Sequence, residues 1–233
     1  MTATSQDKAK PARLRAVVFV DYRNLYHGAR EAFGYQSEAG HYGNIRPISL
    51  GRVLTRATDR ELEQVRVYTG VPTPQNDRKG NAIMQRRLAT WVGDSPDKVE
   101  IFPRPLSYPP PRGREKGVDV ELAIDIVRLA LDDAYDIAIV ASADTDLVPA
   151  LDFVVHRCQG KAVETVTWAP EPGCEADTAA PVDIPGGGVT RVTIPKNDFD
   201  RIAERRNLMT STSDPASVVG QSRWDKIKGR FDR

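Results

Sequence analysis

Two short runs constrain the fold more than anything else in the sequence. Ala16-Val17-Val18-Phe19-Val20 and Ile137-Ala138-Ile139-Val140 are apolar at every position. A strand with one solvated face alternates apolar and polar residues, whereas an unbroken apolar run marks a strand covered on both faces. Such strands belong to parallel sheets with helices packed on either side. The intervening segments read as helices and further strands in near-regular alternation. The chain therefore predicts an α/β fold of three layers with a mostly parallel central sheet.

Both runs lead into aspartates. The first ends on Asp21, followed by Tyr22-Arg23-Asn24, and the second continues as Ala141-Ser142-Ala143-Asp144-Thr145-Asp146-Leu147. Between them, Lys116-Gly117-Val118-Asp119 opens a helical pattern. In an open α/β sheet the strand C-termini share one edge, where ligands bind. Asp21, Asp119, Asp144 and Asp146 are expected to meet there, with Asn24 one helical turn further on and facing the same edge. Two carboxylates 4 Å apart repel by about 4 kcal/mol at an effective dielectric near 20. A bound divalent cation relieves that repulsion, so the pattern points to metal-dependent chemistry on a phosphodiester. Each aspartate has a competing structural role: Asp21, Asp119 and either Asp144 or Asp146 could cap or charge-stabilise a helix N-terminus. Convergence on one edge carries the argument.

The formal net charge of +1 conceals an uneven distribution. Asp119 to Asp152 holds nine acidic residues against Arg128 alone, while Pro72 to Lys116 holds nine basic residues against five acidic ones. An acidic centre beside a basic segment suits a protein that binds metal and grips a polyanion. Cys158 and Cys174 form no CxxC pair, and His27, His41 and His156 are scattered, so no zinc site or disulfide framework is indicated. No run approaches the roughly 18 apolar residues of a membrane span. The polar start, MTATSQDKAKPARLR, lacks the apolar stretch of a secretory signal. The expectation is a cytoplasmic protein without membrane contact.

Along the chain, residues 1–13 read as a disordered arm, 14–207 as one domain and 208–233 as a polar, then basic, tail. Within the domain, strands are expected near 15–21, 65–70, 98–102, 136–141 and 162–168, with an edge strand at 189–194. Helices are expected at 22–34, 50–57 (capped by Ser49), 79–92, 118–131, 146–158 and 197–207. Pro103 to Gly117 is too rich in proline and glycine for regular structure, and its charge and length suggest a functional loop. Residues 169–188 form a Pro/Gly/acidic insertion. On the 118–131 helix, Leu122, Ala123, Ile126, Leu129 and Ala130 make the apolar stripe, which Asp119 extends at the N-terminal tip. Glu121, Asp125, Arg128 and Asp132 lie on another face and read as solvated.

Phe19-Val20-Asp21-Tyr22-Arg23-Asn24-Leu25, Lys116-Gly117-Val118-Asp119-Val120 and the segment Tyr135 to Leu147 resemble, in order and spacing, the three signature blocks of NYN domains. These are PIN-like nucleases that include the LabA/DUF88 group. The resemblance covers roughly residues 14–168. Ala143, Thr145 and Leu147 stand where Gly, Ser and Phe are usual, which keeps the carboxylates and changes packing. The resemblance implies a PIN-like, Rossmannoid fold and a metal-dependent ribonuclease acting on RNA. Asp21, Asp119 and Asp144 would bind Mg²⁺ or Mn²⁺, with Asp146 supporting directly or through water. Attack in line would leave 5′-phosphate and 3′-hydroxyl ends. Asn24 would orient Asp21 or contact the phosphate, and Arg112, Arg114 and Lys116 are candidates to hold the RNA backbone. Asp125 also matches a recurrent family aspartate, and a homodimer is compatible with the sequence.

Other classes fit less well. A phosphatase using Asp21 as nucleophile wants a second acid where Arg23 stands. A dinucleotide-binding domain needs a glycine-rich turn after a strand, but Gly186-Gly187-Gly188 is in the wrong place. The serious rival is a PIN-like module that binds RNA or protein without cleaving.

Overall fold

Strand β1 (Leu14–Asp21) divides its side chains between two cores, as the period of two in a strand requires. Ala16, Val18 and Val20 join a cluster with residues of α1 (Tyr22–Ala32), α2 (Pro47–Leu54), α3 (Arg78–Asp94) and α6 (Lys196–Ile202). Val17 and Phe19 join a second cluster with residues of α4 (Val118–Leu131) and α5 (Val148–Arg157). Helices thus cover both faces of the sheet, and the unbroken apolar run of β1 is explained. This computed structural model describes residues 13–57, 59–108, 113–174 and 182–205, with positions 225 and 229. Nearly all of the expected N-terminal arm and C-terminal tail therefore lies outside the described residues.

The remaining strands are β2 (Arg60–Val71), β3 (Val99–Pro105), β4 (Ile137–Ala141), β5 (Ala162–Trp168) and β6 (Val189–Ile194). The sheet order is β3-β2-β1-β4-β5-β6 and every neighbouring pair is parallel. The expectation of a mostly parallel sheet becomes an entirely parallel one. Chain order reverses between β1 and β4, so the crevice above their C-termini is the topological switch point at which such sheets bind ligands.

Several boundaries differ from the sequence reading for identifiable reasons. Helix α2 starts at Pro47, whose fixed φ suits the first helical position, and Ser49 is inside the helix rather than its cap. Helix α6 ends at Ile202, short of the expected 207, and Thr145–Leu147 is a 3₁₀ turn leading into α5. Strand β2 extends back to Arg60 through Glu61, Glu63 and Gln64, with a register irregularity opposite Ala16/Val17. Its polar start pairs with β1 beyond the apolar core. Strand β3 continues through Pro103 and Pro105, residues expected to forbid regular structure, because β3 is at the edge of the sheet. Beyond it, Ser107 and Arg114 form an antiparallel bridge. In the β5–β6 connection, Val182 and Ile184 are buried against the α4/α5 core.

Candidate active site

Asp21 is both the last residue of β1 and the N-cap of α1, where its Oδ1 accepts the Asn24 N–H at 3.1 Å. The residue one step beyond β4, Ser142, is fully buried and donates its hydroxyl to Asp21 Oδ2 at 3.3 Å. The same hydroxyl oxygen accepts the Asp144 N–H at 3.1 Å. Asn24 Oδ1 accepts the Ala143 N–H at 2.9 Å. Two of these four hydrogen bonds, Ser142 to Asp21 and Ala143 to Asn24, tie the two strand ends across the switch point, and the other two fix Asp21 and Asp144 within their own turns.

Asp119 enters from the third direction. Gly117 adopts a left-handed conformation (φ 71°), which turns the chain sharply into α4 and places Asp119 in its first turn. Carboxylate oxygens of Asp21, Asp119 and Asp144 lie within 4.8 Å of one another. Capping and clustering are not alternatives here, since Asp21 and Asp144 do both.

The electrostatics of this group would suit a cation. Burial drives the Asp21 pKa up to about 7; the Asn24 N–H opposes this, and the charges of Glu115, Asp119 and Asp144 add to it. The donors are all carboxylate oxygens, the set preferred by hard divalent cations such as Mg²⁺, Mn²⁺ and Ca²⁺. The residues present fit such an ion.

Glu115 escaped the sequence reading. Its Oε1 accepts the Gly70 N–H at 2.5 Å, and its pKa is raised by burial, against the Gly70 N–H and Arg23, with Asp119 adding to the rise. A side chain at Gly70 would overlap Glu115, so this glycine lets the two segments meet. An acidic residue beside Lys116-Gly117 was the available signal, but its loop position hid it.

Of the remaining candidates, Asp146 is exposed and lies outside the three-carboxylate group; its N–H donates to Asp144 Oδ1. Arg114 and Lys116 are exposed on the approach to α4. Arg112 lies outside the described residues. Asp125 is corrected: far from being solvated, it is 7% exposed and outside the cluster. Arg66 Nη2 and the Tyr68 hydroxyl donate to its Oδ2, each at 2.7 Å, and Arg128 donates to Oδ1. Burial acts to raise its pKa, but these donors outweigh burial and hold it below the ordinary value. Asp125 thus joins α4 to β2. Replacing it with alanine takes away one of the two carboxylates that Arg66 pairs with, Glu100 remaining at 2.8 Å, together with the acceptor of the buried Tyr68 hydroxyl; we expect a loss of about 1–3 kcal/mol in chemical denaturation. Much of the acidic centre is likewise structural, since Asp133 and Asp136 pair with Arg15 and Lys161.

Comparison with known proteins gives three results. A search of curated proteins finds no match. Among solved structures, a crystal structure of a protein of unknown function from Vibrio parahaemolyticus is similar, with 17% identity and a TM-score of 0.47; the alignment covers 82% of this chain and 98% of that one. The family model for the NYN domain matches residues 15–180, a span that begins within β1 and holds all three clustered aspartates. The match takes in well over half of the sequence and its aspartate cluster fits a nuclease, so the chain belongs to the NYN domain family of PIN-like nucleases.

Proposed function

We propose that the chain is a metal-dependent ribonuclease that hydrolyses RNA phosphodiester bonds at the crevice between β1 and β4. The observation that carries this reading is the approach of three carboxylates, from β1, α4 and the segment after β4, to within 4.8 Å of one another. Asp21, Asp119 and Asp144 would hold Mg²⁺ or Mn²⁺. Such an ion, when bound, lowers the pKa of a coordinated water and neutralises charge on the scissile phosphate.

The protein's own groups do the positioning. Ser142 and the Asn24 N–H hold both oxygens of Asp21, so its carboxylate keeps one orientation as substrate arrives. Asn24, engaged by Ala143, orients Asp21 through the backbone rather than reaching toward phosphate with its side-chain oxygen. Asp146, exposed beside Asp144, supports the site through solvent. Attack in line with the leaving oxygen gives 5′-phosphate and 3′-hydroxyl products.

The test is incubation of labelled single-stranded RNA with the protein in Mg²⁺, Mn²⁺ or EDTA, with Asp144→Asn as control. Metal-dependent cleavage that the variant lacks supports the proposal. Binding without cleavage in every metal leaves the non-catalytic module as the reading. The basic loop gives a second measurement. Alanine at Arg114 and Lys116 should weaken RNA binding and flatten its salt dependence by about one unit of slope per lost phosphate contact. Arg87, by contrast, is committed to Glu204 at 3.3 Å and contributes little grip.

A further inference from the structure

A cleft of about 270 Å³ opens beside the aspartate cluster, between α1, α3 and the end of β2. Its residues are contiguous with the site. Tyr22 and Arg23 follow Asp21 in sequence, Thr69 and Gly70 lie just past Tyr68, the register partner of Asp21, and Glu115 forms a shared wall. The lining is mostly apolar and aromatic: Tyr22, Tyr26, His27, Met84 and Leu106 contribute.

The aromatic wall is already fixed. Tyr26 stacks on Tyr22 with 6.2 Å between ring centres, and Tyr22 packs edge-on against buried Trp91 at 4.7 Å. The Tyr26 hydroxyl donates to the Gly40 carbonyl at 3.0 Å. His27 packs edge-on against Tyr26 at 5.1 Å, and burial, then Arg23, lowers its pKa. The Tyr26 ring already carries Tyr22 and the Arg30 guanidinium, 5.7 Å from its centre, so the exposed ring at the opening is His27, held against Tyr26; a ring held in this way suits a flat π-system, because stacking costs little further ordering. At the same opening, Arg23 is exposed and makes no hydrogen bond or ion pair among the described residues. An exposed cation within electrostatic reach of Glu115 but not hydrogen-bonded to it, next to an apolar slot, matches a nucleotide better than a peptide.

We propose that this cleft is a nucleobase subsite, taking the unpaired base next to the scissile phosphate while Arg23 holds an adjoining phosphate. It rests on the nuclease reading for the position of that phosphate, and it defines the substrate as RNA that is single-stranded at the cut. In a duplex the bases are stacked and paired, and none can enter a side cleft without being extruded.

The experiment uses the full chain carrying Asp144→Asn, in Mg²⁺, with a fluorescent 12-nucleotide RNA of mixed sequence. Binding is compared with the same RNA annealed to its complement and with a series carrying one abasic position at a time. We expect the single strand to bind at least about tenfold more tightly than the duplex. One abasic position should weaken binding about fivefold or more, as for a base stacked on an aromatic side chain. Met84→Trp, which fills the cleft, should erase that position-specific loss; if this variant does not fold, His27→Ala should reduce it. Equal binding of duplex and single strand, or a flat abasic series, overturns the subsite. The nuclease reading is scored separately, by cleavage with Asp144 intact. Cleavage with a flat series removes the subsite alone, whereas a positional loss without cleavage removes the nuclease and keeps the cleft only as a base-binding site, with no scissile phosphate beside it.

Discussion

Replacing Asp21 with asparagine is expected to make the metal-free protein more stable above neutral pH while reducing RNA cleavage by more than about 100-fold, beyond the usual cost of losing a residue that merely supports a metal ligand. The stabilisation follows from the Asp21 pKa, raised from 3.8 to about 7 mainly by burial. Below about pH 4 the carboxyl is neutral in both folded and unfolded chains. Between about pH 4 and 7 the unfolded chain has released a proton that the folded chain retains, so stability falls as pH rises through this window and levels off above it. The full span corresponds to at most about 4 kcal/mol. Asparagine keeps an oxygen for the Asn24 N–H and can donate to Ser142, so it should flatten the profile. Urea denaturation from pH 4 to 8, in EDTA, measures both curves. A variant less stable than the parent at pH 8 would show that the aspartate's structural bonds outweigh its repulsion.

Mn²⁺ or Mg²⁺ should raise the melting temperature of the parent protein by about 5–10 °C at 100 times its dissociation constant. An ion bound only by the folded state contributes about 2.7 kcal/mol at that concentration, and a domain of this size shifts by roughly 2–4 °C per kcal/mol. The shift should grow as pH approaches 8, because the ion displaces the proton on Asp21. Asn at position 119 or 144 should remove most of it, since each subtracts one of three carboxylates. A shift that survives both substitutions would place the cation elsewhere on the molecule.

The sequence made the strands and the acidic triad legible because both are local patterns. Ala16 to Val20 and Ile137 to Val140 announce buried strands by composition, and the strand-tip rule carries Asp21 and Asp144 to one edge. What escaped it depends on contacts between distant segments. The burial of Asp125 requires knowing that Arg66 and Tyr68 face it from β2, 59 and 57 positions away. Glu115 gains its place from Gly70, 45 positions away, and Ser142 from Asp21, 121 positions away. Pro103 and Pro105 were misread because proline breaks an interior strand but not an edge.

Those two prolines also bear on how copies of this chain could associate. An edge strand normally offers its free amides as a template for another sheet. Without N–H groups at positions 103 and 105, β3 presents a broken row of donors, so a second molecule cannot extend the sheet through its C-terminal half. Growth into stacked strands is blocked at that end, on the C-terminal edge of the sheet where the three aspartates gather. The sequence of β3 thus guards this edge against self-association by sheet extension.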